Sequence, residues 1–183
     1  MARVPYFDKD DLPPEHQDLL ARGINLHRAL VNSPNGTRAF STLGRFIRFE
    51  SKLDPRLREL AILQVGWLAR SPYEWSHHVK IGYDFGVTDD DIRALIDESA
   101  GRTSSLEPLA RTILKAAREM TADGKLSKAT WDTLSRDLDN ECLTDLVITI
   151  GFYNAVVRVL ASLEIDVEDS YMPYLERFPL PQG

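Results

Sequence analysis

The sequence predicts an all-α fold, a single-domain bundle of about eight helices, on three observations. Helix start and stop signals recur along all 183 residues. Runs of alternating Val, Ile and Thr, the mark of half-buried strands, are nearly absent. Apolar residues recur at helical spacing, as Phe40, Leu43, Phe46 and Ile47 do on one face of a single segment.

The elements follow in order. Pro13 and Pro14 open a first helix that reaches about residue 31, where Asn32-Ser-Pro-Asn-Gly36 ends it. A second covers 37–50. Asp54-Pro55 supplies an N-cap and a first-turn proline for a third, to about residue 70. Ser71-Pro-Tyr-Glu74 starts a fourth, and Gly86 caps its C-terminal end. Val87-Thr88-Asp-Asp-Asp91 begins a fifth, its three acids suited to the positive end of the helix dipole. Ser104 or Ser105 caps a sixth that ends before Asp123-Gly124. Ser127 begins a seventh, to about residue 138, and a long eighth spans 141–163. The tail, 164–183, carries Tyr171, Met172, Tyr174, Phe178 and three prolines, and is expected to wrap over a neighbour instead of forming a helix. No linker divides the chain, so one domain is expected over 1–183, with its core at about 37–163.

Composition narrows the function. At 43% hydrophobic and 27% charged residues the chain is an ordinary globular protein with room for a sizeable core. A net charge of −6 argues against nucleic acid and anionic membranes as partners, because phosphate contacts need clustered Lys and Arg. Cys142 is the only cysteine, which rules out an internal disulfide, a Cys-x-x-Cys pair and a cysteine-rich zinc site. The N-terminus lacks the apolar core of a signal peptide, and a cytoplasmic location is expected. The most apolar stretch, 146–163, contains Asn154 and Arg158, so it reads as a buried helix and not as a membrane span.

The third and fourth helices carry an unusual set: Glu59, Trp67, Tyr73, Glu74, Trp75, His77 and His78. Glu74 lies one turn before His78 on the same helix face. A carboxylate beside an imidazole orients the ring and tunes its proton affinity, which is the basic unit of general acid–base catalysis. Glu59 sits on the preceding antiparallel helix, with an axial mismatch to His78 of roughly 7–8 Å at about 1.5 Å rise per residue. Contact then needs a long side chain, an inclined crossing, or a bridging water or substrate.

Purely structural roles compete for the same residues. Ser71-x-x-Glu74 is a capping-box pattern, in which Glu74 would bond the helix start. His77, rotated by about 100°, belongs at the surface or behind the site. Glu59 could pair with Arg56 or Arg58, and Trp67 and Trp75 could be core packing. Asn154 and Arg158 need partners, from a core network or from a pocket that they line. Glu74-x-x-His77 is half of a di-iron pattern with no second half in the chain. Glu59, Glu74 and His78 could hold one metal ion, though the expectation is no metal and no cofactor. There is no Gly-rich phosphate loop and no Gly-x-Ser-x-Gly nucleophile elbow.

Arg58-Glu-Leu-Ala-Ile-Leu-Gln-Val65, Tyr73-Glu-Trp-Ser-His-His78, Gly82 and Phe85-Gly-Val-Thr-Asp-Asp90 resemble the carboxymuconolactone decarboxylase family, over about residues 54–98. That family shares an all-helical fold with alkyl hydroperoxidase D. The peroxidase branch carries a glutamate, a Cys-x-x-Cys pair and then a histidine. On that pattern Glu59 and His78 take the glutamate and histidine positions, while Ser71 and Glu74 stand where the cysteines would be. Neither can exchange disulfides, so the resemblance points to the branch without the dithiol. It implies cofactor-independent decarboxylation of a small organic acid or lactone, with His78, Glu74 and Glu59 catalytic. Tyr73, Trp75 and Arg158 would bind substrate, with Arg158 or Arg45 pairing its carboxylate. The resemblance also implies a homo-oligomer, a trimer or hexamer. Two other readings use the same residues: a non-catalytic oligomeric domain with a buried Glu/His network, and an isomerase or hydrolase.

Overall fold

The computed structural model describes residues 2–181, and every regular element among them is helical. The ends of the expected domain, residue 1 and residues 182–183, lie outside the described residues. The α-helices are α1 (Asn25–Leu30), α2 (Pro34–Phe49), α3 (Pro55–Leu68), α4 (Pro72–Asp84), α5 (Asp89–Ser99), α6 (Pro108–Ala122), α7 (Lys128–Leu134), α8 (Asn140–Leu163) and α9 (Met172–Arg177). Short 3-10 turns lie at Lys9–Asp11, Pro14–Leu20 and Asp169–Tyr171.

The centre of the protein is α3, which packs against α4, α6 and α8. Asp54 caps it by accepting the Leu57 N–H at 3.0 Å, with Pro55 in the first turn. Every residue from Leu57 to Gly66 is buried, so the helix has no solvent face. Its polar side chains must therefore find partners inside. Gln64 accepts from Ser99 Oγ at 3.0 Å, while Arg58 and Glu59 turn to each other.

The start of α4 decides what Glu74 is for. Ser71 Oγ accepts the Glu74 N–H at 3.4 Å, and the Ser71 N–H donates to the Gly66 carbonyl at 3.0 Å. Only half of the capping box forms, because the N-cap amide is already satisfied; the Glu74 carboxyl is left for the interior. At the other end α4 gives way to a turn with Gly86 at φ +89°. A Cβ on Gly82 would stand 3.1 Å from Val87 Cβ, so this turn closes more tightly than a larger residue allows.

α8 is long and apolar enough by composition to cross a membrane, with a mean hydropathy of 1.8. Here its Leu146, Ile150, Tyr153, Val157 and Leu160 stripe joins the core. α2 is the opposite of α3: only Thr37 and Ile47 of its residues are buried.

Five expectations shift. The second helix begins at Pro34 and not at 37, with Ser33 as its N-cap and Pro34 in its first turn. The first helix is a 3-10 turn and α1 separated at Gly23, whose φ of +60° interrupts any helix. The sixth begins at Pro108, because Ser104 Oγ turns to the Leu106 N–H and Glu107 becomes the N-cap. The seventh stops at Leu134. The tail does form a helix, α9, with Pro173 in its first turn, and it lies on α4 of the same chain. Trp75 Nε1–H donates to the Phe178 carbonyl at 2.7 Å, and Arg177 pairs with Asp89.

Candidate active site

A cavity of about 710 Å³ opens where α1, α2, α4 and α8 meet the N-terminal turn. Glu74, His77 and His78 of α4 line it together with Tyr153 of α8, Arg48 of α2 and His27 of α1. Behind this wall α3 supplies Arg58 and Glu59, each almost fully buried, at 2% and 1% exposed.

Glu59 and His78 meet directly, with no bridging group between them. His78 Nδ1 and Glu59 Oε2 are 2.7 Å apart. The other carboxylate oxygen of Glu59 accepts from Arg58 Nε at 3.2 Å and Nη2 at 3.0 Å. Arg58 itself lies over the Phe85 ring, 4.4 Å from its centroid. Burial would raise the Glu59 pKa, but His78 and then Arg58 reverse that and hold it below the usual carboxylate range. An ionised Glu59 therefore accepts Nδ1–H and fixes the ring, leaving Nε2 to face Glu74.

At that second nitrogen the geometry is different. Glu74 Oε1 stands 3.1 Å from Nε2 but out of line for a hydrogen bond, and this buried oxygen has no hydrogen-bond partner among the described residues. Burial pushes the Glu74 pKa up; His78 opposes this and Glu59 adds to it. Tyr153 meets the His78 ring edge-on, with centroids 4.9 Å apart and planes at 83°. Its hydroxyl has no hydrogen-bond partner among the described residues, and burial pushes its pKa up.

His77 is neither at the surface nor part of this cluster. It is stacked between Tyr73, with centroids 4.0 Å apart, and Tyr171 at 3.5 Å, and its Nε2 lies 2.8 Å from Glu168 Oε2. Burial pulls its pKa down more than Glu168 raises it, so the ring is neutral and donates Nε2–H. Glu168 also accepts from the Asn25 N–H and from the Tyr73 hydroxyl. Against its burial, these donors bring the Glu168 pKa to about 2.

Of the expected substrate contacts, Tyr73 lines the cavity, but its hydroxyl is occupied by the Leu26 N–H and Glu168. Trp75 is fully buried, packs on Trp67 and bonds Phe178, so it cannot meet a ligand in the cavity. Arg158 is exposed on the far side of α8, donating to Asn154 Oδ1 at 2.9 Å, and does not line the cavity. Arg45 does line it, though it is paired with Glu50 at 3.2 Å.

Four residues important to the cavity were not singled out from sequence: Tyr153, Arg22, Arg48 and His27. Tyr153 carried a signal, as the one polar tip in the apolar stripe of α8. The other three carried none.

A single bound metal does not fit the Glu/His cluster. The two carboxylates sit on opposite edges of one imidazole and do not converge on a point. No group of three or more His, Cys, Asp or Glu side chains among the described residues is arranged to hold an ion. Cys142 lies outside the cavity, with burial raising its pKa, so no thiolate serves the site.

Known proteins share this fold. The sequence model of the carboxymuconolactone decarboxylase family matches residues 34–119. No curated protein sequence matches the chain. Among solved structures, a peroxidase-related protein with the alkyl hydroperoxidase D core from Ralstonia eutropha JMP134 superposes with a TM-score of 0.79 at 16% identity, covering 95% of each chain. The debrominase Bmp8 in complex with 2,3,4-tribromopyrrole gives 0.80 at 18% identity, over 96% of this chain and 97% of the other. A protein from Agrobacterium tumefaciens gives 0.65 at 18% identity, over 76% and 94%. At these identities the structures share the fold.

Proposed function

The chain belongs to the carboxymuconolactone decarboxylase and alkyl hydroperoxidase D-like superfamily, and from that premise we propose that it performs acid–base chemistry on a small organic acid or lactone, most simply decarboxylation. The observation that carries this reading is Glu74 Oε1, a buried oxygen without a hydrogen bond, 3.1 Å from His78 Nε2 at a cavity wall. A purely structural network would satisfy that oxygen. Another protein of this fold holds a small ring compound, 2,3,4-tribromopyrrole, which suits a cavity of this kind.

In this scheme Glu59 never gives up its charge. Arg58 keeps it ionised, and it keeps the proton of His78 on Nδ1. Glu74 and His78 Nε2 then hold one proton between them. Whether it rides on the carboxyl or the imidazole, the pair keeps the same net charge, so the proton moves without exposing a new buried charge.

When the bond to the departing carboxylate breaks, carbon dioxide leaves and the electron pair stays on carbon, delocalised into an adjacent carbonyl of the substrate. The Glu74–His78 pair supplies the proton for the new C–H bond, and water restores it. Tyr153, with its free hydroxyl on the cavity, donates to the developing enolate oxygen. The same parts could transfer a proton without loss of carbon dioxide.

The test is release of carbon dioxide, or lactone isomerisation, across a panel of β-keto acids and unsaturated lactone acids, with wild type beside His78→Ala. Turnover by wild type and its loss in a folded His78→Ala supports the scheme. Turnover retained in His78→Ala removes it.

A further inference from the structure

The chain has more acids than bases, 28 Asp and Glu against 22 Lys and Arg, yet two arginines at the cavity have no acid. Four arginines line it: Arg22, Arg38, Arg45 and Arg48. Arg38 is paired with Asp18 at 2.7 Å and Arg45 with Glu50 at 3.2 Å. Arg22, in the turn before α1, and Arg48, in the last turn of α2, make no ion pair and no hydrogen bond among the described residues. Arg48 has only the Phe49 ring beneath it, at 5.9 Å, which leaves its N–H donors free.

These two charges feel each other. Arg22 has its pKa lowered by burial first and by Arg48 second, although part of the side chain is open to solvent. Like charges held together in the wall of a cavity are unfavourable until an anion joins them.

His27 adds an independent sign of a ligand. It is 9% exposed, lines the same cavity, and its Nδ1 has no hydrogen-bond partner among the described residues. Burial, then Arg22 and Arg48, take its pKa down to about 4, so the ring is neutral at physiological pH and able to donate one N–H. The field of both arginines also reaches Glu74. One cavity thus has a cationic side and a proton-transfer side.

We propose that Arg22 and Arg48, with His27, form an oxyanion subsite for a carboxylate that the substrate keeps through the reaction. The assignment to a retained group follows from charge. A departing carboxylate becomes neutral carbon dioxide, so gripping it with two arginines would stabilise the reactant more than the transition state. A retained carboxylate is held equally in both states and serves to aim the reacting carbon at Glu74 and His78. The ligand class is therefore a small acid with a second carboxyl, or a lactone bearing one. Its role as substrate rests on the acid–base reading above; anion binding at the arginines does not.

Calorimetric titration with inert probes separates the two. Glutarate and its monomethyl ester should bind wild type, and the dimethyl ester should not. Arg22→Gln and Arg48→Gln should each weaken glutarate by about tenfold or more. Arg45→Gln, which removes an arginine already paired, and His78→Ala should each stay within about threefold. Melting temperatures confirm that each variant is folded.

Unchanged glutarate binding in Arg22→Gln and Arg48→Gln would overturn the subsite. So would equal loss in Arg45→Gln, equal binding of the dimethyl ester, no binding to wild type at about 10 mM, or inorganic phosphate as the only anion that binds. If the arginine variants lose glutarate while His78→Ala keeps full turnover, the subsite stands and the acid–base scheme falls. If His78→Ala loses turnover while the arginine variants bind as wild type does, the reverse holds.

Discussion

His77 and His78 are neighbours in sequence, both buried and both beside a glutamate, yet their surroundings differ in one respect. His77 is saturated. Two tyrosine rings cover its faces, and Glu168 takes its N–H and is itself filled by Asn25 and Tyr73. His78 is saturated on one edge only: Glu59 fixes Nδ1, while the opposite nitrogen faces a glutamate oxygen that has no hydrogen bond. Burial and a carboxylate do not by themselves make a reactive histidine. On the proposed reading, an unfilled partner at the wall of a cavity does.

The largest effect that sharpens this contrast is on turnover. His78→Ala should lower it by about 10²- to 10⁴-fold, the usual weight of a positioned acid–base group. Turnover of a panel substrate is the readout, and a loss smaller than about tenfold would place the chemistry elsewhere.

Glu59→Gln comes next, and it acts on stability as well. It leaves the Arg58 guanidinium buried without its counter-charge, at 2% exposed. Breaking such a pair costs about 3–5 kcal/mol, a fall in melting temperature on the order of 10 °C. Thermal unfolding monitored by circular dichroism measures it.

On the saturated side, His77→Phe keeps a ring between the two tyrosines but removes the donor to Glu168. It should cost about 1–3 kcal/mol and change turnover by less than about threefold. A large loss of turnover at unchanged melting temperature would break the contrast.

The smallest effect is a pH dependence of the same latch. His77 has a lowered pKa in the folded protein, so below the ordinary value of 6.5 the unfolded chain binds the proton more readily and stability falls with pH. Glu168 continues the trend. Its contribution is complete above the ordinary value of 4.5 and is lost as pH falls toward about 2. Melting temperature should therefore decline below pH 6.5 in wild type, and the decline near pH 6 should be shallower in His77→Phe but not absent, because His27, with its pKa brought down to about 4, follows the same trend.

Much of the fold is visible in the sequence, because it lies in local signals. Asp54-Pro55, Ser71-Pro72, Thr88 and Ser127 mark the starts of α3, α4, α5 and α7, where each side chain caps as its chemistry dictates. Glu59, Glu74 and His78 were legible because spacing along two joined helices brings them close. Arg22, Arg48 and His27 were not, since they reach the cavity through tertiary packing across a turn broken at Gly23. Arg158 misled for a related reason. A charge on an apolar helix suggests a pocket, but α8 has an exposed face, and Arg158 is on it.

The most direct test of the central claim is solvent deuterium entering the carbon from which carbon dioxide departs, followed by mass spectrometry or NMR in D2O. Wild type and His77→Phe should incorporate one deuterium at that carbon in step with turnover, and His78→Ala should show only the uncatalysed background. Equal incorporation by His78→Ala would contradict the account, because the proton would then come from a group other than the one that Glu59 and Glu74 hold between them.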